Sequence, residues 1–110
     1  MRIPDWNGHA VNCRHLADGG LHIEMVTPTG GHRLALERVT QDGGAAEVHV
    51  VYAPPLGDFV AQVVTTLAVE VPVEQLEGAT SAGVWVHSLA AADGAPTPPR
   101  LALAVALPTR

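Results

Sequence analysis

Alternation of apolar and polar residues is the clearest pattern in this chain of 110 residues. Residues 21–25 alternate strictly, and residues 48–52 carry apolar side chains at every second position. Successive side chains of a β-strand point to opposite faces of the sheet, so this period of two predicts two half-buried strands. The core-facing side chains predicted for them are Leu21, Ile23, Met25, Val48, Val50 and Tyr52.

Further strands are predicted where β-branched and other apolar residues recur between turn signals. They cover residues 32–40, 59–73, 83–89 and 100–107. In the first of these, Leu34 and Leu36 are expected to face the core.

The stretch 59–73 is long for a single strand, and Thr65-Thr66 near its middle predicts a bend. Its expected core-facing set is Leu67, Val69, Val71 and Val73. Pro72 has no backbone N–H, which indicates an edge strand or the last paired position. The following residues, 74–78, fit one helical turn closed by Gly78.

The strand at 100–107 has an unusual second face. Its predicted core-facing residues are Leu101, Leu103, Val105 and Leu107, and every position between 101 and 107 that separates them is Ala. A face of methyl groups is either covered or pairs with another chain, so a homodimer through this strand is one hypothesis.

Clusters of Gly, Pro and Asp separate the strands and supply the turns. They lie at 18–20, at 41–44 as a hairpin, at 53–58, and at 90–99 as a linker. The pattern predicts an all-β fold, a small antiparallel β-sandwich or barrel of about six to seven strands, with an immunoglobulin-like arrangement as one option. At this length, residues 1–110 are expected to form a single domain.

Composition narrows the function classes. The chain has 17 Ala and 15 Val but four aromatic residues, a net charge of −5 and no Lys, so a nucleic-acid partner is disfavoured. Its single cysteine, Cys13, cannot form an internal disulfide. The N-terminus has no apolar leader segment, so the expected location is cytoplasmic unless a leader was removed. No run of apolar residues is long enough to span a membrane, so no membrane partner is expected.

Residue chemistry does not point to an enzyme. The six histidines lack the tight spacing of metal ligands, and the nearest donors on one strand face are His22 and Glu24, so no metal and no cofactor are predicted. Cys13 lacks the Gly motif and the Asn of a Cys/His nucleophile pair. Trp85 is predicted to be a buried packing centre, whereas Trp6 suits a core or an interface equally.

Four segments in order carry a resemblance to a known family. They are Thr27-Pro28-Thr29-Gly30-Gly31-His32, the hairpin 39–51, Pro54-Pro55-Leu56-Gly57, and residues 60–66 followed by Val69-Glu70-Val71. Together they resemble the PrcB C-terminal domain family of bacterial protease-complex subunits over residues 23–73. The two strands within 83–107 lie outside the match. His32 stands where Tyr is usual. If that Tyr packs or contacts a partner, His32 either weakens the transfer of the family's binding role to this chain or makes it sensitive to pH.

The resemblance implies a small all-β module without catalytic activity that associates with a protease and stabilises it. The expected partner contacts are Thr29, Gly30, Gly31, His32, Pro54, Pro55 and Gly57, if the two connections lie at one end of the sandwich. The loop is also similar to one loop of chagasin-like cysteine-protease inhibitors, but their Arg-Pro-aromatic loop is missing, since Leu101 follows Arg100. Active-site inhibition is therefore the second hypothesis.

Overall fold

Seven strands and one short 3₁₀ turn make up the part of the chain that the structure, a computed structural model, describes: residue 6 and residues 8–55, 62–89 and 98–107. The strands are β1 (Val11–His15), β2 (Leu21–Thr27), β3 (Arg33–Asp42), β4 (Ala45–Ala53), β5 (Thr65–Val71), β6 (Ser81–Ser88) and β7 (Arg100–Ala106), and the 3₁₀ turn is Val73–Leu76. The predicted all-β class is confirmed. Within these residues, no helix has the length and apolar character needed to cross a membrane.

The strands form two sheets, one of three strands in the order β1-β2-β5 and one of four in the order β3-β4-β6-β7. All described pairs are antiparallel except β4 with β6, which is parallel. The four-stranded sheet is therefore mixed, a feature that the sequence pattern did not predict. Both sheets of an immunoglobulin fold are antiparallel, so this parallel pair differs from that arrangement.

The core lies between the sheets and is built from the small and β-branched side chains that dominate the composition. The predicted inward residues of β2 and β4 are buried, as are Val71 of β5 and Val84 and Val86 of β6. Leu67 and Val69 of β5 pack against this core with partial exposure. The alternation of apolar residues therefore predicted the core-facing side of β2, β4 and β5 correctly.

The region around β5 differs from its prediction. The strand begins at Thr65 rather than bending there, and residues 62–64 are not in a strand; residues 59–61 lie outside the described part. Val73 belongs to the 3₁₀ turn, because Pro72 cannot donate a hydrogen bond and ends β5. Pro72 therefore lies one residue beyond Val71, the last paired position of this edge strand, and Gly78 follows the turn with a φ of 81°.

A β-bulge changes the predicted inner face of β7. Val84 of β6 pairs with Leu103, whereas Trp85 pairs with Leu101, so one extra residue lies between the two pairs. Leu101 therefore lies on the same face as Trp85. Gly83 shares this face, since a Cβ added at Gly83 would lie 3.2 Å from Cδ1 of Leu101. Leu101 is buried on the outer face of the four-stranded sheet, and Leu103 and Val105 face the core.

Candidate functional site

Strand register brings the two predicted contact segments together. The loop 28–32 connects β2 in one sheet to β3 in the other, and Arg33 at the start of β3 pairs with Ala53 at the end of β4. Pro54 and Pro55 therefore follow directly beside His32, so the two connections lie at one end of the sandwich. Gly57, the remaining predicted contact residue, lies outside the described part of the chain.

A third segment lies at the same end. Thr27 of β2 pairs with Thr65 of β5, which places residues 62–64 next to the loop. Val63 and Val64 are 61% and 70% exposed and are the exposed large hydrophobic residues of the described part of the chain. We refer to residues 28–32, 54–55 and 62–64 together as the loop end.

The loop is accessible rather than covered. Pro28 and Gly31 are exposed, and Thr29, Gly30 and His32 are half-buried. Gly31 has a φ of 87°, a left-handed conformation that is costly for residues with a Cβ. The predicted role of glycine in this loop is therefore specific to Gly31, since no positive φ is found at Gly30.

The buried hydroxyl of Thr27 holds the start of the loop in place. Thr27 is fully buried, and its Oγ1 donates to the backbone carbonyl of Thr29 at 2.8 Å and to that of Thr65 at 3.3 Å. The single hydroxyl hydrogen is thus shared between the loop and β5. The start of the loop is tied to Thr65, the first residue of β5, a contact that sequence reasoning did not identify.

The side chain of His32 holds the other end of the loop. Its Nδ1 lies 2.7 Å from Oη of Tyr52, and its Nε2 lies 2.9 Å from Oγ1 of Thr29. His9 approaches the same phenol, with Nε2 3.2 Å from Oη of Tyr52. We refer to Thr29, His32, Tyr52 and His9 as the Tyr52 network.

Aromatic packing encloses the Tyr52 network on one side. The rings of Trp6 and Tyr52 meet edge to face at 6.4 Å, and Nε1 of Trp6 donates to the carbonyl of His9 at 2.8 Å. Of the two roles open to Trp6, this contact fits partial burial against the core. The same indole fixes the backbone that carries His9.

Burial shifts the titration of two groups in this network. Desolvation, and to a lesser degree the charge of nearby His9, lowers the pKa of His32 from its ordinary value. Desolvation also raises the pKa of the Tyr52 phenol. At neutral pH, His32 is therefore uncharged and Tyr52 carries its proton.

Three of the other histidines lie in two separate clusters. His22 contacts Glu24 at 2.8 Å and Glu70 at 3.0 Å on the outer face of the three-stranded sheet. His49 and His87 are buried on the outer face of the four-stranded sheet, with their ring nitrogens 2.8 Å apart. Trp85 is buried as predicted, but it stacks on His49 outside the main core. Among the described residues, no group of three or more His, Cys, Asp or Glu is placed to hold a metal ion.

Comparison with known proteins gives no relative. No family model, no curated protein and no solved structure matches the chain significantly. The residues of the loop end and the Tyr52 network are therefore interpreted from their own geometry.

Proposed function

We propose that this chain is a non-catalytic protein-binding module that holds its partner at the loop end. The observation that carries the proposal is the combination, at one end of the sandwich, of an accessible loop fixed by internal hydrogen bonds and an exposed apolar pair, Val63 and Val64. Exposed apolar residues beside a rigidly held loop are typical of surfaces that meet another protein.

The loop is organised before any partner arrives. Thr27 holds the carbonyl of Thr29, and His32 holds its hydroxyl, so two separate contacts fix one loop residue. A loop already in its binding conformation loses less entropy on association, which favours affinity. The side chains of Thr29 and His32 hydrogen-bond to other residues of the chain. They therefore contribute to partner binding by positioning the backbone of Gly30 and Gly31.

The chemistry of the loop end defines the partner surface. Val63, Val64 and Pro28 offer apolar contact, and Gly31 leaves its peptide groups open to a partner's backbone. The partner surface is therefore apolar at its centre with backbone-directed polar groups beside it. The resemblance of residues 23–73 to the PrcB C-terminal domain supports a protease, or a protein that accompanies one, as this partner, which the module would stabilise.

The test is capture of partners from lysate of the source organism, with purified variants compared side by side. Replacing Val63 and Val64 by Asp, or Gly30 and Gly31 by Ala, should abolish capture of a protease or its companion. The control is Gln75→Asp, because Gln75 lies at the opposite end, where its carbonyl accepts a hydrogen bond from Gln41 beside the hairpin. Equal capture by the Val63/Val64 variant and the control would contradict the proposal.

A second candidate function is self-association through β7. This strand is at the edge of the four-stranded sheet, and Ala104 and Ala106 are exposed on it. Such an edge can pair with the same strand of a second copy. Size-exclusion chromatography separates the two functions: a dimer split by Ala104→Lys supports β7, whereas a monomer that loses its partner with the loop variant supports the loop end.

A further inference from the structure

The Tyr52 network contains one phenolic hydrogen between two imidazoles. Oη of Tyr52 lies 2.7 Å from Nδ1 of His32 and 3.2 Å from Nε2 of His9, and the two imidazole rings meet at 5.1 Å between centroids. We propose that this network makes the loop proton-sensitive: it keeps all its hydrogen bonds with one proton added to the His9–His32 pair, and a second added proton releases the loop. The inference rests on the proposed function in that the same loop is the partner contact.

With both histidines neutral, every contact has a donor and an acceptor. The Tyr52 hydroxyl donates to Nδ1 of His32, and Nε2–H of His9 donates to Oη of Tyr52. The remaining Nε2–H of His32 donates to Oγ1 of Thr29. This tautomer arrangement satisfies both ring nitrogens of His32 and Nε2 of His9.

One added proton can be accommodated without loss. If His32 is protonated, both of its nitrogens donate, one to Tyr52 and one to Thr29. His9 then carries its hydrogen on Nδ1, so the Tyr52 hydroxyl can turn and donate to Nε2 of His9. If His9 is protonated instead, the neutral arrangement is unchanged. The chain of contacts therefore stays intact in the singly protonated state.

A second added proton leaves the network one acceptor short. Both imidazoles then donate toward Oη of Tyr52, and the phenolic hydrogen has no acceptor among them. Tyr52 is 9% exposed, so an unpaired hydroxyl is costly there. Two imidazolium charges at this separation also repel each other. Of the described residues, the titratable groups that face His32 are His9, from the segment before β1, and Tyr52, from β4.

The physical consequence is a change at Thr29. Separation of His32 from Tyr52 withdraws its Nε2 from the Thr29 hydroxyl, and the loop is then held by Thr27 alone. Burial and the charge of His9 both lower the pKa of His32, which agrees with a second proton that binds below the ordinary imidazole range. Partner binding at the loop end should therefore weaken on acidification.

An NMR titration of the free protein tests the inference independently of any partner. We expect the ring signals of His9 and His32 to report two coupled steps, with faster amide exchange of residues 29–32, relative to the unfolded-chain rate, after the second step. His9→Gln should leave His32 titrating in a single step and should keep the loop protected throughout. His15→Gln is the matched control, because His15 is exposed on β1.

Independent single-step titrations of His9 and His32 in the unmodified protein would overturn the inference, as would unchanged loop exchange across both steps. If His9→Gln does not fold, the titration and the amide exchange of the unmodified protein are sufficient to test the inference. A normal two-step titration without any partner capture at neutral pH would refute the proposed function instead, so the two failures are distinguishable.

Discussion

The buried hydroxyl of Thr27 provides the sharpest test of how the loop is held. Thr27→Val keeps the shape of the side chain and removes the only donor shared by the carbonyls of Thr29 and Thr65. Both carbonyls remain in place, so the substitution removes a donor without removing its acceptors. The loop should then lose its attachment to β5 while the core packing around position 27 is retained.

The expected cost is about 1–2 kcal/mol. A net hydrogen bond contributes about 0.5–1.5 kcal/mol, and a buried acceptor left without a donor costs about 1–3 kcal/mol. Thr29 and Thr65 are half-buried, so water can reach part of their backbone and the lower half of that range applies. For a domain of this size, the melting temperature should fall by about 4–8 °C.

Urea unfolding measures the stability, and amide exchange of residues 29–31 measures the loop. Thr27→Ser is the matched variant, because it keeps the donor and loses a methyl group, which costs about 1 kcal/mol of burial. Both variants should be less stable, and Thr27→Val alone should expose the loop amides to faster exchange. A Thr27→Val protein with unchanged stability and unchanged loop exchange would refute this account of the loop.

Three further substitutions test other parts of the structure. Hydrogen bonds to Glu70 and Glu24 raise the pKa of His22 above 6.5, so protonated His22 stabilises the fold below that pH and the stabilisation is lost as pH rises through the folded-state pKa. His22→Gln should therefore lose more stability in urea unfolding at about pH 6 than at about pH 8.5. Gly44→Ala should cost about 1 kcal/mol in thermal unfolding, since Gly44 has a φ of 86°. Val84→Ala should cost about 2 kcal/mol in the same assay, because Val84 is fully buried between the sheets.

The fold class could be predicted because strand alternation is a local property. The hairpin at Gly43 and Gly44, with φ values of 60° and 86°, follows from turn chemistry and was predicted correctly. The parallel pairing of β4 with β6 could not be predicted, since the strand between them in the chain, β5, belongs to the other sheet. The apolar alternation of β4 does not distinguish the two directions of pairing, because either direction leaves the same residues facing the core.

The site was predicted in its exposed part and missed in its supporting part. Residues 29–32 and 54–55 carry recognisable turn chemistry, and the structure places them at one end. Thr27 begins the motif 27–32, but the motif does not show that its hydroxyl supports the loop, and His9 has no distinctive sequence context. Both roles are therefore seen only in the structure. The apolar pattern predicts one long strand that includes Val63 and Val64, because pattern alone does not show where a strand begins when apolar residues precede it.

The pairing of β3 with β4 shows which part of the candidate site could be predicted from the sequence. A two-residue turn at 43–44 pairs Asp42 with Ala45, and strict pairing from there would place Leu34 opposite Ala53. The structure instead pairs Leu34 with Tyr52, because a bulge between Leu36 and Arg38 shifts the register by one residue.

The apolar positions of β3 contain this information. Leu34, Leu36 and Val39 all pack against the core, yet the step from 36 to 39 is odd, which is incompatible with one face of a regular strand. An extra residue between them is the simplest solution, and it is what brings His32 within reach of the Tyr52 hydroxyl. In β7, by contrast, Leu101, Leu103 and Val105 alternate without interruption, so the bulge there has no signal in the apolar pattern. A bulge is therefore predictable from sequence only where the core residues on both sides of it are already known to face the same way.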